Sequence, residues 1–211
     1  MKKAFLFLLC FYSLTVFSQE NVENEEFEFV LIKKEKNGKV VFKGKEHFFE
    51  IPLEGVLDTV GIPNQRFDEN NFVVIDKKKT IQFTTLNIAP NILELYDFNN
   101  LSISQQKKVL DSFIVYEFDY QKSMGIVMNN YKLETSFDGD RMYYLLSFEM
   151  GNKQGNSAAD VDKNIYLMTV AYNHILMLNM PLIPSQSMAE YSKYLKELIP
   201  LIKFHNQKFQ E

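Results

Sequence analysis

The sequence predicts an α+β fold, an antiparallel β-sheet flanked by helices. Two signals carry the prediction. Short apolar runs are separated by turn residues at Asn37-Gly38, Asp76 to Lys79, Asp138-Gly139-Asp140 and Asn173-His174, and runs joined by tight turns pair antiparallel. Two other stretches open on a capping box, Ser102 with Gln105 and Ser187 with Glu190, and continue with apolar residues at helical spacing.

In chain order, Phe27, Phe29 and Leu31 alternate with less apolar neighbours and predict the first strand. Lys36-Asn37-Gly38-Lys39 turns it back into Val40 to Lys43. Glu46 to Leu53 is a further extended run, in which Pro52 is expected to stop regular pairing. Residues 54 to 71 read as loop, punctuated by Gly55, Gly61, Pro63, Asn64, Asn70 and Asn71. Phe72 to Ile75 and Thr80 to Leu86 predict a second hairpin, and Ile92 to Tyr96 a short apolar strand. The first helix is placed at about residues 103 to 118, with Leu110, Phe113, Ile114 and Phe118 at helical spacing. Its last turn, Ile114 to Phe118, is rich in β-branched and aromatic residues and is equally readable as strand. Gly125 marks the break.

Tyr131 to Phe137 and Arg141 to Met150 form the next hairpin, followed by a polar loop over Gly151 to Asn164. Ile165 to Tyr172 and Ile175 to Met180 form the last. The closing helix places Met188, Tyr191, Leu195, Leu198 and Ile202 on one face, which reads as core, and Pro200 should end or kink it near Ile199. With no internal repeat or interdomain linker, residues 19–211 are expected to form a single α+β domain.

Residues 1–18 read as a signal peptide. Lys2 and Lys3 precede the apolar run Ala4 to Val16, and Val16-Phe17-Ser18 before Gln19 offers a small-residue cleavage site. A membrane-spanning helix needs roughly 20 apolar residues, whereas this run ends in Gln19, Glu20 and the acid-rich Asn21 to Glu26, which disfavours an uncleaved anchor. The protein is therefore expected to be exported, periplasmic or secreted, with no integral membrane segment after cleavage.

Cleavage removes two lysines and no acids, so 23 basic and 27 acidic residues become 21 and 27, and the formal charge moves from −4 to −6. A mildly acidic chain lacks the clustered Lys and Arg that nucleic acid requires. Lys33 to Lys36 and Lys77 to Lys79 flank turn residues and read as hairpin tips, where lysines also discourage edge-to-edge aggregation. Cys10, the only cysteine, lies in the apolar run, too early for a lipoprotein cysteine and without the small residue expected before it. Its loss leaves no disulfide, cysteine nucleophile or thiolate ligand.

Chemistry-bearing motifs are sparse. His47, His174 and His205 share no metal-binding spacing and read as surface residues: His174 in a hairpin turn, His205 in a charged tail and His47 at a strand start. The sequence contains no Gly-x-Ser-x-Gly, no His-Glu-x-x-His and no phosphate-binding glycine loop. Asp160-Val161-Asp162-Lys163-Asn164 spaces its oxygen side chains as a calcium loop does, but Ile165 stands where glycine is needed and the later bidentate glutamate is missing, so it reads as a solvated loop. Asp138-Gly139-Asp140 is accounted for by hairpin chemistry. No catalytic residue, cofactor-binding residue or metal ligand is assigned, and no cofactor is expected.

The aromatic residues admit two readings. Phe113, Tyr116, Phe118 and Tyr120 precede Gly125, while Tyr143, Tyr144 and Tyr166 lie on later strands. Adjacent Tyr143 and Tyr144 face opposite sides of a strand, so both are core only where both faces are covered. The alternative is an aromatic-lined groove for a partner or an apolar ligand.

From residue 91 onward the element order resembles proteins of the Mog1/PsbP-like α-β-α sandwich. The stretches that carry the resemblance are Asn91-Ile92-Leu93-Glu94-Leu95 as a short strand, Ser102 to Phe118 as a helix and Tyr131 to Met150 as a hairpin. A closing hairpin and a final helix ending in Leu201-Ile202-Lys203-Phe204 complete it, so the likeness covers mainly residues 91–204. It implies an antiparallel sheet with helices on both faces and, as in several exported members, an accessory or assembly role without catalysis. The hairpin-rich N-terminal half departs from the pattern, and no site residue is carried over because no site motif matches.

The combined expectation is an exported, non-enzymatic envelope or secreted protein that acts through contacts with an unidentified envelope or secreted protein. A carrier for an apolar small ligand is the alternative, and a hydrolase with an unrecognised site is another. Shape separates them: a flat exposed apolar patch, a sealed apolar cavity, or a cleft with converging perturbed acids. The mature chain is expected to begin at Gln19, which N-terminal mass analysis of the exported protein checks; recovery of intact Met1 to Ser18 would overturn the leader assignment.

Overall fold

The computed structural model describes residues 26–59, 71–151 and 161–210. The leader, most of the loop after residue 59 and Asp160 lie outside the described residues. In chain order the elements are β1 (Glu28–Lys33), β2 (Asn37–Lys43), β3 (Phe48–Glu54), β4 (Leu57–Thr59), β5 (Phe72–Ile75) and β6 (Lys79–Asn87). There follow α1 (Pro90–Leu93), α2 (Ile103–Ser123), β7 (Val127–Asp138), β8 (Arg141–Gly151), β9 (Lys163–Ala171), β10 (His174–Leu182), α3 (Met188–Leu198) and β11 (Lys203–His205). A 3-10 turn at Ile199–Leu201, with Pro200 inside it, ends α3 where the sequence predicts.

These strands make two antiparallel sheets, ordered β1-β2-β3-β11 and β4-β5-β6-β10-β9-β8-β7. The larger sheet separates two buried clusters. On one face α2 sets Val109, Leu110, Phe113 and Ile114 against Tyr144, Leu146, Tyr166 and Met168. On the other, α3 contributes Tyr191, Leu195 and Leu198, and the smaller sheet contributes Val40, Phe42, Phe49 and Ile51, against Tyr143, Leu145 and Leu167. Tyr143 and Tyr144 are 1% and 2% exposed, one in each cluster, because both faces of β8 are covered.

The antiparallel α+β class agrees with the sequence, but the architecture is richer in sheet than expected. Beside α3, the covering layer is a second sheet. Three short N-terminal strands cannot bury an apolar face alone, so they close over the larger sheet instead. Phe27, Phe29 and Leu31 pack inward from that layer, as their alternation predicts.

Several boundaries move for identifiable reasons. The predicted strand Ile92 to Tyr96 is instead the short helix α1 followed by a turn; a brief apolar run does not distinguish the two, and Pro90 suits a first helical position. Pro52 does not stop β3, which pairs it with Lys39. Because β11 pairs only with Phe48 to Glu50, β3 has one neighbour at Pro52, the setting that tolerates a missing N–H. Within the predicted 54–71 loop, Leu57–Thr59 forms β4.

Gly38 lies in β2 rather than in a turn. A Cβ there would collide with Ile32 carbonyl oxygen and sit 2.6 Å from Leu57 Cδ1, so close packing selects the glycine. The last hairpin turns at Tyr172-Asn173, which pairs His174 with Ala171 inside β10. Helix α2 runs five residues past its expected end, its capping box formed as predicted: Ser102 N–H donates to Gln105 Oε1 at 2.8 Å, and Gln105 N–H to Ser102 Oγ at 3.4 Å.

The fully buried Leu195 anchors α3. Leu195→Asp should cost at least about 2 to 5 kcal/mol, from lost packing and an unpaired carboxyl. Glu197, exposed and only 3.8 Å from Lys193, should change stability by less than about 0.5 kcal/mol on truncation to alanine. Denaturant melts compare them; equal stability would show α3 to be peripheral to the fold.

Candidate interaction surface

Helix α2 is wider than the apolar stripe it buries. Its flank toward β7 carries Asp111, Val115 and Phe118, related by four and three residues and therefore neighbours along one side of the helix. Two contacts fix that direction: Tyr144 hydroxyl donates to Asp111 Oδ1 at 2.6 Å, and the Phe118 ring meets Tyr131 of β7 edge-on with centroids 5.1 Å apart. Val115 between them is 63% exposed.

Beside this flank runs the outer part of β7. Leu133, Thr135 and Phe137 pair with Leu146, Tyr144 and Met142 and so share the sheet face that α2 covers. The helix does not reach over them. Leu133 is 41%, Phe137 57% and Tyr131 60% exposed, giving an apolar strip bounded by α2 on one side and by the open sheet edge on the other.

The reverse face of β7 is polar and held down. Lys196 of α3 reaches Glu134 Oε2 at 2.7 Å, and Lys132 reaches Oε1 at 3.0 Å. These two ammonium groups hold the Glu134 carboxyl below the usual carboxylate range. Across the strip, burial raises the Asp111 pKa, but the Lys107 ammonium at 2.6 Å and the Tyr144 hydroxyl outweigh it and keep the group below its ordinary value. Charges frame the apolar strip without entering it.

The residues singled out in the sequence fall elsewhere. Asp138 and Asp140 belong to the β7–β8 turn, in which Gly139 adopts a left-handed φ of 58°, the conformation that an Asp-Gly turn supplies. Asn164 of the calcium-like stretch is buried in β9, its amide 3.2 Å from Met150 Sδ. The histidines are not the surface residues expected. His174 is buried, edge-on to Phe27 at 5.0 Å; His47 lies 4.2 Å from the Tyr172 ring; His205 stacks on Phe48 at 4.1 Å. Each aromatic neighbour comes from another strand or the segment beside one, which sequence spacing does not reveal.

A cleft of about 340 Å³ opens where the chain enters α2, lined by Phe98, Asn100, Ser102, Gln106, Asp140 and Arg141 among others. Arg141 donates to Val170 carbonyl and lies over the Phe204 ring at 3.5 Å, so its guanidinium is already engaged. Gln106 likewise bridges Asp140 carbonyl and Met142 N–H, each at 2.8 Å. The cleft is built from polar groups that brace the loop.

Glu117 is the buried acid that sequence reasoning missed. It lies on the core side of α2 and accepts from Gln121 Nε2 at 2.7 Å. Desolvation pushes its carboxyl up, against the hydrogen bonds from Gln121 and Tyr166 that favour the ionised form.

No protein family matches the chain, and no curated protein matches it. Among solved structures it is similar to the solution structure of cyanobacterial PsbP (CyanoP) from Synechocystis sp. PCC 6803, with 9% identity and a TM-score of 0.46 over 90% of this chain and 97% of that one. The similar structure is that of a PsbP protein, the kind whose element order residues 91–204 resemble.

The raised Glu117 pKa has a defined sign. Because the folded-state value exceeds the unfolded one, ionised Glu117 subtracts from stability as pH rises from about 4.3 through the raised value. Glu117→Gln should abolish that fall and leave the protein more stable than the wild type at neutral pH. Denaturant melts across a pH series check this; parallel curves for the two proteins would refute it.

Proposed function

We propose that this protein is an exported, non-enzymatic contact protein of the cell envelope or the secreted fraction, and that it works as an accessory or assembly component by docking through the β7–α2 surface. The observation that carries the reading is the apolar strip of Tyr131, Leu133, Phe137 and Val115, held on rigid elements and left open beside a long strand edge. Large exposed apolar side chains grouped on one face mark interaction sites. Export rests on the leader-like residues 1–18; among the described residues, no helix is long and apolar enough to cross a membrane.

A photo-crosslinking residue in place of Phe137, introduced in cells producing the full chain, tests the surface. Adducts should form there and not from the same residue in place of Leu201, which is 41% exposed in the turn after α3. Equal labelling at both positions, or none at Phe137, would overturn the assignment.

A further inference from the structure

We propose that the outer edge of β7 pairs antiparallel with the same edge of a second copy of this chain, about a two-fold axis at Thr135. The inference rests on the reading of β7 as a contact surface and names its partner.

The edge itself is the first argument. The seven-stranded sheet ends in β4 and β7, and the four-stranded sheet ends in β1 and β11. Those edges are 3, 12, 6 and 3 residues long respectively. Shortness is one way proteins blunt a sheet edge, and β7 does not use it. Its first part is interrupted by a bulge between Asn129 and Lys132, with Asn130 at a φ of 50°; from Lys132 to Asp138 the ladder with β8 is regular. Among the described residues, seven consecutive residues therefore present an undistorted edge.

Hydrogen-bond parity is the second. Asp138 and Arg141 close the two-residue Gly139-Asp140 turn as a bonded pair. Counting back, Ser136, Glu134 and Lys132 direct their backbone groups to β8, while Phe137, Thr135 and Leu133 direct theirs outward. A two-fold axis through any residue of this segment sets outward residues opposite outward residues, so parity permits the pairing and the length of the regular segment selects its centre. Thr135 is the midpoint of Lys132–Asp138, so only that register uses the whole regular segment.

Side-chain complementarity is the third. Centred on Thr135, the pairing sets Lys132 opposite Asp138 of the second copy, Leu133 opposite Phe137, Glu134 opposite Ser136 and Thr135 opposite itself. Opposite charges, apolar pairs and threonine pairs are all favourable across strands, and no like charges meet. On the α2 side, Leu133 and Phe137 of each copy cover one another, which removes the exposure seen in the single chain. The contact is isologous and closes at two copies.

Sedimentation equilibrium on protein purified from the full-length sequence tests this. The wild type should be a reversible dimer. Thr135→Pro removes an N–H aimed outward, which the β8 ladder does not use, and should give a monomer whose melting temperature matches that of the wild type diluted until it too is monomeric. Asp138→Lys sets lysines opposite Lys132 at both ends and should weaken the dimer roughly tenfold; adding Lys132→Asp to the same chain should restore it. If Thr135→Pro lowers the melting temperature below that of the diluted wild type, the charge reversal and its rescue decide the question alone.

A monomeric wild type, an open-ended assembly, or a dimer indifferent to the charge changes would overturn the pairing. The contact reading fails separately. Phe137 adducts at a mass other than twice the chain would remove the self-partner while leaving the surface in place.

Discussion

The rest of the structure follows from burying the larger sheet on both faces. Its central strands carry apolar side chains in both directions, so neither face can be left to water; Tyr143 and Tyr144, adjacent in β8, state the requirement most plainly. One face is met by α2 with α1 and the segment that joins them, and the other by α3 together with the smaller sheet. The N-terminal strands thereby gain a partner for Val40, Phe42 and Phe49, and Gly38 keeps β2 near enough to Leu57 to close the layer. The cover is complete over Met142 to Leu146 of β8 and over Asn164 to Ala171 of β9. It gives out at β7, and the open strip is the outer limit of the packing that buries the centre.

Charge placement follows the same geometry. Lys132, Glu134 and Lys196 tie the polar side of β7 to α3, and Lys107 with Asp111 stands over the rim of α2. Exposed pairs of this kind contribute little to stability, about 0 to 1 kcal/mol each; their effect is to define which parts of the rim are polar. Glu117 is the exception, an acid placed under α2 among apolar residues and held by Gln121. A buried carboxyl that must either hold its proton or lose stability is opposed to packing, and nothing in its surroundings explains why a carboxyl stands there.

What could be read from the chain tracks how local each signal is. The capping box at Ser102 formed in full and Ser187 caps α3 through the Glu190 N–H alone, because a cap is decided within four residues. Asp138-Gly139 turned as expected for the same reason. Ile92 to Tyr96 became helical because a short apolar run carries no period long enough to decide between helix and strand. The histidines were misplaced because their neighbours are far away in sequence: Phe27 for His174, Tyr172 for His47, Phe48 for His205. Division of the strands into two sheets is also non-local, since β11 returns from the C-terminus to pair with β3.

The candidate surface was half legible. Tyr131, Leu133 and Phe137 are visible as an alternating apolar set, but alternation is also what a covered face looks like, and the covered reading is the commoner one for a strand in a predicted hairpin. Edge position is a property of the finished sheet. Once β7 is known to end the sheet, the same residues change meaning: an outward row of N–H and C=O groups beside exposed leucine and phenylalanine invites any extended chain. A sequence that leaves such an edge regular for seven residues either risks uncontrolled pairing or restricts its partner. Lys132 and Asp138 at the two ends act as that restriction, because opposite charges meet in a two-fold antiparallel pair whereas a parallel copy in register would set like against like. The polarity of the strand, with its positive end at the bulge and its negative end at the turn, is therefore the feature that selects one orientation of a second copy over the other.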